Sequence, residues 1–319
     1  MKPLLFDPII EHFVRSLEEQ TGKPISELPI EEARQALESV QQDNTVHGLP
    51  TTQQDVEITI SEQITVTITI VRPRDVQETL PVIMYFHGGG WVLGSFSTHE
   101  RLVKELCLGT QSAVVFVHYT RAPEARFPIA IEQCYGATLY ISRYADKYSL
   151  DGSRIVVAGD SAGGNIAAAV AMWAQERGGP KIIFQLLLYP VTNAQLTSRS
   201  YHDFEDGPWL TKKSMEWFWN SYAPGAAQKL EGSLSPLVAK LELIKNLPPT
   251  FIVTAEYDVL RDEGEAYAHL LLQQGGHAHA YRALGAIHDF LILTPIKKSP
   301  VVTGTLEIII NVLRAYLQS

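Results

Sequence analysis

Cysteine is scarce in this chain of 319 residues: Cys107 and Cys134 stand far apart, with no Cys-x-x-Cys spacing. That excludes a disulfide framework and a thiolate metal site, and it reads as two buried thiols in a reducing compartment. Basic runs are also missing, and the net charge is −9, so there is no footprint for nucleic-acid phosphates. No uninterrupted apolar run approaches the roughly 18 residues of a membrane helix. In "MKPLLFDPIIEHF", Asp7 and Glu11 break the apolar stretch before it could act as a signal core. Low-complexity tracts are absent too. The expectation is a cytoplasmic protein with no membrane span and no nucleic-acid partner. With 45% hydrophobic and 19% charged residues, it can bury a large core, as one elaborated domain or a domain with a cap.

The hydrophobic pattern changes character along the chain. From Ile9 to about Gln42 it is helical: "PIEEARQALESVQQ" opens on a proline and early acids, with Ala33, Leu37 and Val40 at helical spacing. A polar stretch, "DNTVHGLPTTQQ", reads as a linker. "DVEITI" and "ITVTITIV" then alternate in period two, as an antiparallel strand pair with one solvated face. From Leu80 onward, continuous apolar runs alternate with helical segments: "VIMYFH", "AVVFVHY", "RIVVAGD", "IIFQLLLYP", "TFIVTAEYD" and "HAYRAL". Strands apolar on both faces and separated by helices predict a doubly wound α/β protein with a mostly parallel sheet. One interval departs from this rhythm. From about Val191 to Lys245 no strand is predicted, and "LTKKSMEWFWNSYAP" crowds aromatics together. The division expected is N-terminal cap helices over 1–50, a first core segment over 51–190, a cap insertion over 191–245 and a second core segment over 246–319. Such a cap would cover the carboxyl ends of the strands, where open α/β sheets bind ligands.

Chemistry concentrates in a few short stretches. "RIVVAGDSAGGNIAAAVAMWA" puts Ser161 between a strand and a helix, in the sequence Gly159-Asp160-Ser161-Ala162-Gly163. Gly-x-Ser-x-Gly in that context describes a nucleophile elbow, a strained turn whose serine oxygen stands clear of the backbone at a helix N-terminus. A phosphate loop fails on spacing, because neither GxxxxGK[ST] nor GxGxxG is present. A serine nucleophile needs a base, an orienting acid and an oxyanion hole. "YFHGGGWVLG" supplies the hole: glycines after a strand let peptide N–H groups turn inward, and the expected donors are Gly89, Gly90 and Ala162.

Taken together, "HGGGW", "YTRAPE", "GDSAGGN", "AEYDVLRDEG" and "IHDF" resemble the motif series of the hormone-sensitive-lipase-like esterases, a branch of the α/β-hydrolase superfamily. The resemblance runs in order from about Pro81 to the C-terminus, and more loosely through the N-terminal helices. It places the acid at Asp258, at the end of a buried strand. Asp262 is the rival, but it sits where an aspartate capping the next helix belongs. The base is then His288, after the last strand, in the chain order of α/β hydrolases. By this resemblance the protein is a serine carboxylesterase acting on short-to-medium acyl esters, a small-molecule partner, with no metal or organic cofactor, as a monomer or homodimer. Two alternatives accompany it: a receptor-like member of the fold that binds without catalysis, and an amidase or longer-chain lipase. The family usually has glycine after the catalytic histidine, whereas this chain has Asp289.

The remaining candidates receive plainer roles. His87 is expected to orient the oxyanion loop and Trp91 to pad it. Trp91, Trp209, Trp217 and Phe218 are candidate pocket walls, although such aromatics more often fill a cap core. His277 and His279 lie on one strand face but lack a third metal ligand nearby. Arg121 and Glu124 read as an internal ion pair, and Glu256 as making a structural hydrogen bond or ion pair near the site.

Overall fold

The computed structural model describes residues 4–19, 22–42, 44–225 and 231–318; the part of the expected insertion over 226–230 lies outside them. Eight strands form one sheet: β1 (Thr51–Ser61), β2 (Ile64–Pro73), β3 (Leu80–Phe86), β4 (Ala113–His118), β5 (Leu150–Asp160), β6 (Phe184–Leu188), β7 (Thr250–Tyr257) and β8 (Ala278–Ile287). Their order is β1-β2-β4-β3-β5-β6-β7-β8. β1 and β2 pair antiparallel, β2 joins β4 antiparallel, and every pairing from β4 to β8 is parallel. The expected linker extends less far than its polarity implied. Thr51 to Gln54 already pair with β2, because a ladder on the sheet's edge asks little of the side chains it leaves in water.

Between the strands run α1 (Pro8–Glu18), α2 (Ile30–Val40), α3 (Phe96–Thr110), α4 (Ile129–Tyr144), α5 (Ala162–Glu176), α6 (Arg199–Asp203), α7 (Lys212–Tyr222), α8 (Leu241–Ile244), α9 (Arg261–Gln273) and α10 (Pro300–Leu317). The continuous apolar strands divide their side chains between two cores. In β3, Val82, Met84 and Phe86 join the core that receives α4, α5 and α9. Ile83 and Tyr85 join the opposite core, under α3 and α10. Period-two alternation thus feeds both faces of β3 to β7, whereas β8, at the edge of the sheet, departs from the expectation and leaves His279, Ala280, Arg282 and Leu284 exposed.

α10 is 18 residues long with a mean hydropathy of 1.3, enough by length and composition to cross a membrane. It is not an uninterrupted apolar run, because Thr303, Thr305, Glu307, Asn311 and Arg314 break it. Here its Val302, Ile309, Leu313 and Leu317 stripe packs into the second core.

The interval from Val191 to Lys245 contains, among its described residues, only helices and turns. Together with α1 and α2 it sits beside the carboxyl ends of the central strands. α1 buries Ile10, Phe13 and Val14 against one core, and α2 buries Ala33 and Leu37 against the other. Arg34 of α2 anchors this layer, donating to Val92 O (2.9 Å) and Ala122 O (3.2 Å) and pairing with Glu124 (2.8 Å). The expected Arg121–Glu124 pair does not form, because Arg34 takes the carboxylate and Arg121 Nη1 donates to Gly94 O (2.8 Å).

Candidate active site

The turn between β5 and α5 carries the strain its glycines advertise. Ser161 is the residue before α5 and has φ 53° and ψ −118°, a left-handed conformation that costs roughly 1–3 kcal/mol for a non-glycine residue. Surrounding contacts hold it there: its N–H donates to Leu188 O (2.8 Å), and its carbonyl accepts from Asn165 N (3.1 Å) and Val191 N (3.2 Å). The flanking glycines permit a backbone approach that no side chain would tolerate. A Cβ on Gly163 would lie 1.9 Å from Phe86 O, and one on Gly159 would lie 2.3 Å from Gly163 O.

Three strand ends deliver three side chains to one point. His288 Nε2 is 2.9 Å from Ser161 Oγ, and His288 Nδ1 is 2.7 Å from Asp258 Oδ2. Asp258 Oδ1 also accepts from Leu260 N (2.9 Å), so both carboxylate oxygens are held. All three residues are buried. Burial opposes protonation of His288, but the charges of Asp258 and then Asp289 outweigh it and push its pKa up to about 9. Asp262 is elsewhere: its Oδ2 accepts from Ser200 N (2.8 Å), and its Oδ1 from Arg261 Nε (2.8 Å). Nor does it cap α9, since it stands inside that helix's first turn after Leu260; it satisfies the start of α6 instead. Glu256 accepts from Gly285 N (2.7 Å), the structural role expected of it.

The glycine loop after β3 is tethered from below. Gly89 and Gly90 have φ of 97° and 60°, values glycine reaches without strain. Among the described residues, the N–H groups of Gly89, Gly90 and Ala162 donate to no backbone acceptor. His87 Nδ1 donates to Gly88 O (2.8 Å), its ring stacks on Tyr119 (4.2 Å), and Tyr119 Oη donates to His87 O (2.8 Å). Burial and then the charge of His99 lower the His87 pKa to about 3, so this ring is a neutral hydrogen-bond donor.

Asp160, to which the motif alone assigned no role, ties the elbow to this loop. Its Oδ1 accepts from Tyr85 Oη (2.7 Å) and Gly88 N (3.1 Å), and its Oδ2 lies 3.1 Å from His99 Nε2. Burial opposes both charges; their attraction prevails, holding Asp160 below and His99 above their ordinary ranges. Tyr85 and His99 stand 75 and 61 residues from Asp160, so no local pattern links them.

A cavity of about 320 Å³ opens over Ser161 and His288. Leu28 and Leu37 come to its wall from the N-terminal segment, Trp209 and Phe218 from the interval after β6, and Gly89 and Gly90 from below. Trp91 and Trp217 are not on this wall. Trp91 is fully buried, stacked on Tyr222 (4.7 Å) and against Trp219 (4.7 Å), and Trp217 packs on Phe218 (5.0 Å). Phe218 lies so close to Gly90 that a Cβ there would sit 2.1 Å from its ring. Tyr189, also unforeseen, packs edge-on to His288 (5.0 Å).

Residues 83–292 match the family model described as alpha/beta hydrolase fold. The chain belongs to the α/β-hydrolase family. Within that family, its motif series places it in the hormone-sensitive-lipase-like branch. It is 45% identical over 305 residues to a putative α/β hydrolase of Acanthamoeba polyphaga mimivirus, covering 96% of this chain and 86% of that one. A carboxylesterase of Mycobacterium tuberculosis is 41% identical over 223 residues, 69% of each chain. The structure of a thermostable esterase from Pseudomonas putida superposes with a TM-score of 0.95 at 39% identity, covering 100% of both chains.

No cluster of three or more His, Cys, Asp or Glu side chains suited to a metal ion occurs among the described residues, His277 and His279 included. Asp289, where the family resemblance led to an expectation of glycine, has a φ of 64°. The turn needs a left-handed residue, and aspartate is among the few non-glycine residues that visit that region readily.

Proposed function

We propose that this α/β-hydrolase-family protein is a serine carboxylesterase for short-to-medium acyl esters. The single observation that carries the reading is the Asp258–His288–Ser161 hydrogen-bonded chain, with links of 2.7 and 2.9 Å, at the floor of a mostly apolar cavity. Ser161 Oγ attacks the ester carbonyl as His288 Nε2 takes its proton. Asp258 holds the Nδ1–H tautomer and stabilises the imidazolium. The N–H groups of Gly89, Gly90 and Ala162 receive the oxyanion, aided by the N-terminus of α5. The imidazolium returns its proton to the departing alcohol, and water, activated by the same base, resolves the acyl-enzyme. Residues 1–50 and 191–245 act as the cap that keeps bulk water from this centre, on cores spanning 51–190 and 246–319. A receptor-like role without catalysis is disfavoured by the completeness of the hydrogen-bonded chain. A fluorophosphonate probe tests the reading: it is expected to modify Ser161 stoichiometrically and abolish p-nitrophenyl butyrate hydrolysis in step. Modification elsewhere, or none with activity retained, overturns it.

The pH dependence follows from the carboxylates around the base. His288 works as a neutral imidazole, so kcat/KM rises as pH passes its pKa, which two carboxylates raise toward 9. The acid limb is expected well above the ordinary histidine range, and Asp289→Asn is expected to move it to lower pH. A pH–rate profile of both proteins checks this; an acid limb that stays put or moves up removes Asp289 from the electrostatics of the base.

A further inference from the structure

Asp289 is oriented more firmly than a residue beside a catalytic histidine needs to be. Its Oδ2 accepts from Trp209 Nε1 (3.0 Å), which fixes the carboxylate plane from the segment after β6. Its carbonyl accepts from Ile292 N (2.8 Å) and Leu293 N (3.0 Å), and Arg101 Nη2 reaches Leu291 O (2.6 Å) from α3. The other oxygen, Oδ1, is left buried with no hydrogen-bond partner among the described residues. It lies 3.3 Å from His288 Nε2, close enough for charge attraction but without hydrogen-bond alignment, because Nε2 is directed at Ser161. Asp289 lines the same cavity as Ser161 and His288. Of the other charged side chains on that wall, Lys23 is solvent-exposed.

This position identifies which half of a substrate meets the free oxygen, on the reading that the protein is a serine esterase. The carbonyl oxygen turns toward the glycine loop, and the leaving oxygen must come within about 3 Å of His288 Nε2 to collect its proton. Oδ1 sits beside that nitrogen, so the first atoms of the alcohol half pass next to it. A plain alkyl alcohol would leave a buried acceptor unpaired and set a negative oxygen beside a leaving oxygen that is itself gaining negative charge. A donor on the alcohol, two carbons from the ester oxygen, pairs that acceptor, and an ammonium also offsets its negative charge. We propose that Asp289 is a specificity-determining residue that selects esters whose alcohol half carries a hydroxyl or ammonium donor near the ester oxygen. Burial raises the pKa of the Asp289 carboxyl, against the charge of His288, and an ammonium placed at Oδ1 would favour the ionised carboxylate in the same way as the imidazolium does.

The test compares kcat/KM for two isosteric pairs of butyrate esters near neutral pH: 2-hydroxyethyl against propyl, and protonated 2-(dimethylamino)ethyl against 3-methylbutyl. The donor-to-alkyl ratio is taken within each protein, which cancels changes in folding, base strength and general turnover. Asp289→Asn keeps size and an acceptor but removes charge; Asp289→Leu removes both. The ammonium ratio is expected to fall about tenfold or more in Asp289→Asn, the fold-change of one hydrogen bond to a buried charged acceptor. The hydroxyl ratio is expected to fall in Asp289→Leu. A fall confined to one pair assigns that donor class. Unchanged ratios for both pairs, with all four esters still hydrolysed, overturn this inference and leave the esterase reading standing. Failure of the wild type to hydrolyse any of the four overturns both. If Asp289→Leu does not fold, the ammonium pair in Asp289→Asn decides.

Discussion

Ser161→Ala is expected to lower kcat on p-nitrophenyl butyrate by at least about 10³-fold while the protein remains folded. The hydrogen bonds that hold the strained turn use the backbone of residue 161, to Leu188, Asn165 and Val191, and alanine keeps all of them. Among the described residues the hydroxyl itself has one partner, His288 Nε2 at 2.9 Å, so its loss removes a hydrogen bond and a nucleophile but no packing of consequence. Residual rate would come from the oxyanion donors and from binding alone. Steady-state kinetics paired with thermal unfolding checks both halves. A folded variant that keeps more than a tenth of wild-type activity would place the nucleophile at another residue.

Asp258→Asn is expected to reduce kcat by on the order of 10⁴-fold, against a change of only a few-fold for Asp262→Asn. The difference lies in what each carboxylate holds. Asp258 Oδ2 accepts the Nδ1 proton of His288 at 2.7 Å while Oδ1 is occupied by Leu260 N. If the amide introduced by Asp258→Asn turned its nitrogen toward the ring, Nδ1 would have to become the acceptor. The proton would then sit on Nε2 and face Ser161, and the base would be lost. Asp262 instead joins α9 to the first turn of α6 through Ser200. Its replacement should show as a loss of about 1 kcal/mol in unfolding free energy. Comparable losses of kcat in the two folded variants, or the reverse order, would overturn the assignment of the acid.

Much of this molecule is legible without coordinates because its chemistry is carried by local patterns. The apolar runs that became β3 to β7 needed only length and content to be read as doubly covered strands, and each lies where its run predicted, while β8 lies on its run but is half exposed at the sheet edge. The elbow was legible for the same reason: glycine, serine and glycine at alternate positions between strand and helix have few other uses. Placing the acid and the base was less direct, since His288 and Asp258 each stand in a short motif but are 30 residues apart, and family resemblance supplied the choice over Asp262.

What the chain order could not contain is who meets whom across the sheet. Arg34 takes Glu124 from 90 residues away and leaves Arg121 to a backbone carbonyl, because the sheet order brings α2 to the glycine loop. Trp91 was a candidate wall and is a core residue, since the left-handed turn at φ 60° sends its ring inward onto Tyr222. Asp289 stood out in the sequence only as a departure from its family. That its carboxylate is held beside His288 on the cavity wall depends on Trp209, 80 residues earlier. Backbone periodicity is a property of neighbours in the chain, so the sequence by itself determined the strands, the elbow and the glycine loop. Polar partnerships have no period and are made by side chains that meet only after the sheet closes, so the tertiary structure alone decided the Asp160 network, the cavity wall and the orientation of Asp289.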